Sequence, residues 1–212
     1  MKDISMEELS GQYYDVLKEL GNIGAGNATT ALAQMLGSKV DMSVPQVQLL
    51  DFNVLGDTVG GEDEIMAGIY LQVEGDIQGN MMFIQKKVSA AHLINKMMAG
   101  MIEIKDEEVA DYEFGEMECS AIKEVGNIIT GAYLNALSSL TNLKIYPSVP
   151  QLAIDMAGAI LSVPAIQFGQ YGDNALLIQT EFGDDVKIQG FFILMPDVES
   201  YDKILTSLGI AL

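Results

Sequence analysis

The sequence has one cysteine, Cys119, one histidine, His92, and only 11 basic side chains against 30 acidic ones, for a formal charge of −19. Each scarcity excludes something. A single cysteine rules out an internal disulfide framework, and a single histidine rules out a metal site built on several imidazoles. Phosphate contacts need clustered lysines and arginines, and no cluster is present, which excludes nucleic acid and disfavours an anionic membrane surface. Long apolar runs are also missing. The most apolar stretch, residues 152–168, is interrupted by Asp155 and Pro164 and falls short of the ~20 residues that span a bilayer. Residues 1–10 carry Asp3, Glu7 and Glu8 where a secretory signal would have a basic start and an apolar block, so the expected compartment is the cytoplasm.

Apolar residues are plentiful. They make up 49% of the 212 positions, enough to build a core, unlike an acidic disordered chain. Placing residues 15–46 over residues 120–151, an offset of 105 without gaps, gives 13 identities in 32 positions. Among them are Lys18/Lys123, Glu19/Glu124, Gly21/Gly126, Asn22/Asn127, Ile23/Ile128 and Gly26/Gly131. The run Ser43-Val44-Pro45-Gln46 also matches Ser148-Val149-Pro150-Gln151. The chain is a tandem duplication, expected as one domain over 1–212 with repeats at about 1–102 and about 114–212.

Periodicity gives the order of elements. Residues 6–36 and 116–140 have helical spacing, with Val16, Leu20 and Ile23, and Ile122, Val125 and Ile129, turned to the core. Short alternating runs at 39–50, 65–73, 80–85, 144–153, 175–180 and 187–194 read as strands, with hairpin turns at Gly75-Asp76 and Gly183-Asp184. Short helices follow Val88 and Val198 and end at Gly100 and Gly209. Each half therefore reads as helix, strands, helix, and the acidic stretch 103–113 is an exposed lead-in between them. The expected fold is α/β (α+β), a pseudo-twofold, mainly antiparallel sheet flanked by helices. An internal duplication often stands in place of a dimer, which favours a monomer.

Asp15, Glu19 and Asn22 lie at i, i+4 and i+7, a narrow stripe at 100° per residue, and Ser120, Glu124 and Asn127 repeat it. With apolar residues on the neighbouring stripe, the Glu and Asn should face solvent or a partner. A glycine inside a helix costs ~1 kcal/mol relative to alanine, yet Gly21 and Gly126 directly precede the two asparagines. Such a gap lets a partner's backbone approach closely; a tight contact within this chain is the alternative. After each asparagine, 22 residues intervene before Pro45 and Pro150, where a missing amide donor would end or bend the following strand. Asp15 and Ser120, one turn before each Glu, either orient it or are ordinary solvated positions.

This doubled pattern, Asp/Ser-x3-Glu-x2-Asn-x22-Pro, resembles that of the CheC/CheX/FliY phosphatases of bacterial and archaeal chemotaxis, over essentially the whole chain. Two motifs and no room for a flagellar-switch domain favour its CheC branch. The resemblance implies hydrolysis of the aspartyl-phosphate of a phosphorylated CheY-type response regulator. Magnesium would be held by the regulator, and no cofactor by this chain. Asn22 and Asn127 would orient the attacking water, and Glu19 and Glu124 would pair with the regulator's active-site lysine. An acyl phosphate already has a good leaving group, so placing water in line suffices, and a neutral carboxamide both donates and accepts hydrogen bonds without adding negative charge. The resemblance also supplies the receptor deamidase CheD as a partner. The alternative function is an adaptor that sequesters the phosphorylated regulator or CheD with little catalysis.

Other signals are weaker. Gly21-Asn22-Ile23-Gly24-Ala25-Gly26 lacks the Lys-Ser/Thr of a phosphate loop and sits within a helix. Cys119 has no spacing relation to His92 and reads as a small buried hydrophobe, and the 13 methionines read as core filling.

Overall fold

The computed structural model describes residues 6–99, 101–168, 174–183 and 188–209. Two long helices occupy the stretches of helical spacing, α1 (Met6–Leu36) and α4 (Glu116–Thr141). Both stop at the same relative point. Gly37 (φ +60°) and Asn142 (φ +56°), 105 residues apart, adopt the left-handed backbone that ends a helix and that glycine and asparagine tolerate.

The strands are β1 (Asp41–Asp51), β2 (Ile65–Gly75), β3 (Gly79–Lys86), β4 (Ile145–Pro147), β5 (Gln151–Met156), β6 (Asn174–Gly183) and β7 (Ile188–Pro196). The shorter helices are α2 (Phe52–Thr58), α3 (Lys87–Met97), α5 (Ala157–Phe168) and α6 (Val198–Ser207). All pairings are antiparallel, in the order β1-β6-β7-β3-β2, with β4 and β5 end to end along the far edge of β2. The β3/β7 ladder runs from Gly79 opposite Pro196 to Gln85 opposite Gly190, and its midpoint, Met82 opposite Ile193, marks the pseudo-twofold axis. The repeats exchange their first strands. β1 of the first pairs with β6 of the second, and β4 and β5 of the second pair with β2 of the first.

Alternation along the strands divides the core into two layers. Ile69, Leu71, Met81, Phe83, Ile178 and Phe192 face the layer that holds α1, α3, α4 and α6. Met66, Met82, Ile84, Leu177 and Ile193 face Leu55 of α2 and Ile160 of α5. At the β2/β3 hairpin Gly75 has a φ of +115°, which a side chain would oppose. There Asp76 donates its amide to the Lys144 carbonyl and accepts the Lys144 amide on its carboxylate, both at 2.8 Å. This pair fixes the start of β4.

The connector between repeats is anchored rather than free. It makes one 3₁₀ turn at Asp106–Glu108, and Ile104 and Val109 are buried. The Asn95 side chain donates to the Ile104 carbonyl and accepts its amide, at 2.7 and 2.8 Å. Lys87 Nζ donates to the Ala110 carbonyl, and the Tyr112 hydroxyl donates to the buried Glu118 at the start of α4.

Two expectations need correcting. Each half has a third helix, α2 or α5, where the sequence read only as loop or apolar stretch. In α5 apolar residues lie on both sides, with Ile160 buried and Val163 exposed, so no periodicity marks it. In the first long helix the buried stripe is Leu17, Leu20, Gly24, Ala28 and Leu32, whereas Val16 and Ile23 are half-buried on its flank. In α4, Ile122, Val125 and Ile129 are buried as expected, and Tyr133 and Leu137 extend the stripe. Gly100, Asp184 and Lys187, named above in turns and element ends, lie outside the described residues, as do residues 1–5. No described helix is long and apolar enough to cross a membrane.

Candidate active site

Asp15, Glu19 and Asn22 on α1 are all exposed, as are Ser120, Glu124 and Asn127 on α4. Each trio occupies the face of its helix opposite the buried stripe, because the 100° step puts about half a turn between the two sets. The pseudo-twofold relates the trios, so the molecule presents an exposed Glu and Asn twice, with Asp15 in one copy where Ser120 stands in the other. Neither Glu19 nor Glu124 is drawn into the ion pairs Lys39–Asp41, Lys86–Glu64 or His92–Asp106. Both carboxylates are solvated and available to an external cation.

Gly21 and Gly126 do not face a partner. A β-carbon at Gly21 would lie 3.0 Å from Val44 Cγ1, and one at Gly126 would overlap Ile69 of β2. The two glycines let α1 and α4 settle on the sheet, which is the intrachain alternative. By lowering each helix onto the strands they set the height of the asparagine that follows.

Pro45 and Pro150 lie at matching irregularities. The register of β1 steps from Ser43 opposite Glu181 to Gln46 opposite Gln179, so Val44 and Pro45 together face one residue, Thr180. In the second copy three residues, Ser148, Val149 and Pro150, face two, Leu71 and Gln72. Each first strand therefore carries one extra residue beside a proline that cannot donate to the ladder. Ser148 closes the second gap, donating its amide to the Gln72 carbonyl and accepting the Gln72 amide on Oγ, both at 2.9 Å. The bulges differ in one respect. Val44 is half-buried against Gly21, whereas its counterpart Val149 is 83% exposed. Met117, three residues before Ser120 on the same face of α4, is also exposed.

Among the described residues both trios lie on exposed helix faces. A cleft of about 530 Å³ lined by Gln72, Glu74, Asn80, Asp197 and Glu199, and another of about 650 Å³ lined by Glu62, Asp63, Lys87 and Asp106, include none of the motif residues. Among the described residues no group of three or more His, Cys, Asp or Glu is placed to hold a metal. Cys119 is half-buried, with Sγ 3.6 Å from the Phe114 carbonyl, while His92 Nε2 lies 2.6 Å from Asp106 Oδ1.

The CheC-like family matches at residues 14–49 and 117–154, the segments that hold both trios and both bulges. The CheY-P phosphatase CheC of Bacillus subtilis is 38% identical over 201 residues, covering 93% of this chain and 94% of that protein. The chain belongs to the CheC-like family. Another relative, the flagellar motor switch phosphatase FliY of Bacillus subtilis, is 27% identical over 70% of this chain but only 37% of its own length. Among solved structures, Thermotoga maritima FliY superposes with a TM-score of 0.72 at 21% identity over 98% of both chains. The FliM middle domain of H. pylori superposes with a TM-score of 0.60 at 12% identity over 96% of this chain and 99% of that one. These likenesses establish the CheC-like fold: a curled antiparallel sheet with its two long helices on one face.

Proposed function

We propose that this CheC-like protein hydrolyses the aspartyl-phosphate of a CheY-type response regulator, at two sites per chain and in the cytoplasm. The observation that carries the reading is the paired, solvated Glu and Asn on each long helix, in a chain 38% identical to a CheY-P phosphatase over nearly its full length. Glu19 or Glu124 pairs with the lysine of the regulator's phosphorylation pocket and fixes the docked helix. Asn22 or Asn127, one turn further along, accepts a hydrogen bond from water and donates one to a phosphoryl oxygen. The water oxygen bonds to phosphorus as the bond from phosphorus to the aspartyl oxygen breaks. The carboxylate leaves unprotonated, and the water's protons pass to phosphate and solvent. Magnesium in the regulator supplies charge neutralisation, so this chain contributes only position.

The test is the acyl-phosphate lifetime of a receiver domain phosphorylated by a small-molecule donor, with and without this protein. The acceleration should fall in Asn22→Ala and in Asn127→Ala. In the double variant it should drop by about a hundredfold or more, the scale for losing a group that acts in the transition state. Both positions are exposed, so circular dichroism should not change. An undiminished rate in the folded double variant would overturn the catalytic reading. Retained complex formation with no phosphate release from the intact protein would instead favour an adaptor for the regulator or for the deamidase CheD.

A further inference from the structure

The glycines within the two long helices divide by what a β-carbon would meet. At Gly21, Gly24 and Gly126 it would press on Val44, the Tyr133 ring and Ile69, so the fold itself accounts for them. At Gly26 and Gly131 it would meet nothing within 4 Å. Neither has positive φ, so backbone conformation does not require glycine either. At an open position in a helix interior, any ordinary residue holds the helix better. Two glycines with no internal reason stand at equivalent points of the two repeats. Their surroundings have diverged, Thr29-Thr30 in one copy facing Leu134-Asn135 in the other.

Their position suggests an external reason. Glu19, Asn22 and Gly26 fall at i, i+3 and i+7, and Glu124, Asn127 and Gly131 do the same, so each glycine continues the solvated stripe about 6 Å beyond the asparagine along the helix axis. Gly26 is exposed and Gly131 half-exposed. An asparagine has a short side chain. To reach a phosphate inside another protein, its helix backbone must lie close against that protein, and a side chain one turn away on the same face would hold the two surfaces apart.

We propose that Gly26 and Gly131 are the closest-approach points of each long helix to a docked receiver domain, where bare helix backbone lets the regulator lie near enough for Asn22 or Asn127 to reach its phosphate. They are positioning residues, not catalytic ones. The inference rests on the phosphatase reading for its partner, and it accounts for the glycines that packing leaves unexplained.

The experiment compares the wild-type chain with two double variants, Gly26→Ala/Gly131→Ala and Gly26→Gln/Gly131→Gln. Melting temperature, the kinetics of receiver dephosphorylation, and affinity for a receiver activated with beryllium fluoride are measured for each. Melting temperature should rise in both variants, because both residues favour helix over glycine. KM and the dissociation constant should climb from glycine to alanine to glutamine, reaching about tenfold or more at glutamine, the scale of a side chain forced into a packed contact. Opposite movements of stability and docking are what an internal structural role would not produce. Wild-type KM and affinity in the glutamine variant would overturn the proposal, as would a fall in melting temperature. The wild-type control separates the two claims: if it leaves the acyl-phosphate lifetime unchanged, the phosphatase reading fails, while the binding series still reports on the glycines.

Discussion

Gly24 of α1 packs against the ring of Tyr133 of α4, so close that a β-carbon at residue 24 would overlap Cδ1 and Cε1 of the ring. The offset of 105 relates this pair to Ile129 and Ala28, so the large and small residues stand in opposite order in the two repeats. Gly24→Ala should therefore lower stability by about 1–3 kcal/mol despite the gain in helix propensity. Chemical denaturation checks this. Combining it with Tyr133→Leu, which removes the ring, should cost less than the sum of the single changes.

Tyr133 is fully buried and stacks on Phe192 with ring centroids 4.4 Å apart, but its hydroxyl has no hydrogen-bond partner among the described residues. Tyr133→Phe should raise stability by about 1 kcal/mol, since it removes a desolvated polar group while keeping the ring. Burial also pushes the phenol pKa well above its ordinary value. The folded chain then holds this proton more tightly than the unfolded one. Stability from this source is complete below pH ~10 and is lost as pH rises beyond it. A urea-denaturation series from pH 8 to 11 should fall less steeply at the alkaline end in the phenylalanine variant. Some slope should remain, because the Tyr70 and Tyr112 phenols are raised too, the first by burial and the second by its hydrogen bond to Glu118.

Gly126→Ala should prove costlier than Gly21→Ala. The first forces a methyl into the buried Ile69 at the centre of β2, for about 1–3 kcal/mol. The second meets Val44 Cγ1 at 3.0 Å on a half-buried bulge that can give way, and helix propensity returns up to ~1 kcal/mol. Paired melting curves decide it, and equal losses would contradict the packing described for the two glycines.

Ser148→Ala removes the hydroxyl that accepts the Gln72 amide. The expected loss is about 1 kcal/mol, with faster hydrogen exchange at Gln72 while the amides of the β3/β7 ladder stay protected. Unchanged exchange at Gln72 would show that the bulge does not depend on this bond.

Charge reversal by Glu19→Lys with Glu124→Lys should raise KM for the phosphorylated receiver about tenfold or more, if each carboxylate meets a lysine as proposed. The salt dependence of KM should flatten, and because both side chains are exposed the melting temperature should hardly move.

Much of this molecule is legible in its residues. Both long helices, the hairpin glycines and the duplicated Glu and Asn follow from period and repetition, because an exposed polar stripe and a buried apolar one alternate cleanly along α1 and α4. What the residues do not disclose is which partner a small side chain serves. Gly21 and Gly26 look alike in sequence, five positions apart on one helix, yet one meets the sheet and the other meets open space. Only the helix's rotation on the strands separates them, and that rotation is set by Leu17, Leu20 and Leu32 acting together. The missed helices α2 and α5 have a similar cause. Both cap the outer face of the sheet; α2 is only seven residues long, and in α5 apolar residues point both inward and outward, so no period stands out. The bulges had a sequence sign in the shared Ser-Val-Pro-Gln run, but whether its valine packs or protrudes depends on how near the helix lies.

The exchanged first strands tie the two repeats to each other. Because β1 is held by the second repeat and β5 by the first, the halves are clasped and not merely adjacent. A single proteolytic cut in the connector between residues 101 and 115 would leave two fragments still laced through one seven-stranded sheet, with each long helix still in place. Neither half expressed alone could complete its hairpin with its own leading strand in this arrangement. The two asparagine-bearing surfaces are thus joined through one sheet: each long helix packs on the edge strand of its own repeat, and that strand is hydrogen-bonded to the other repeat.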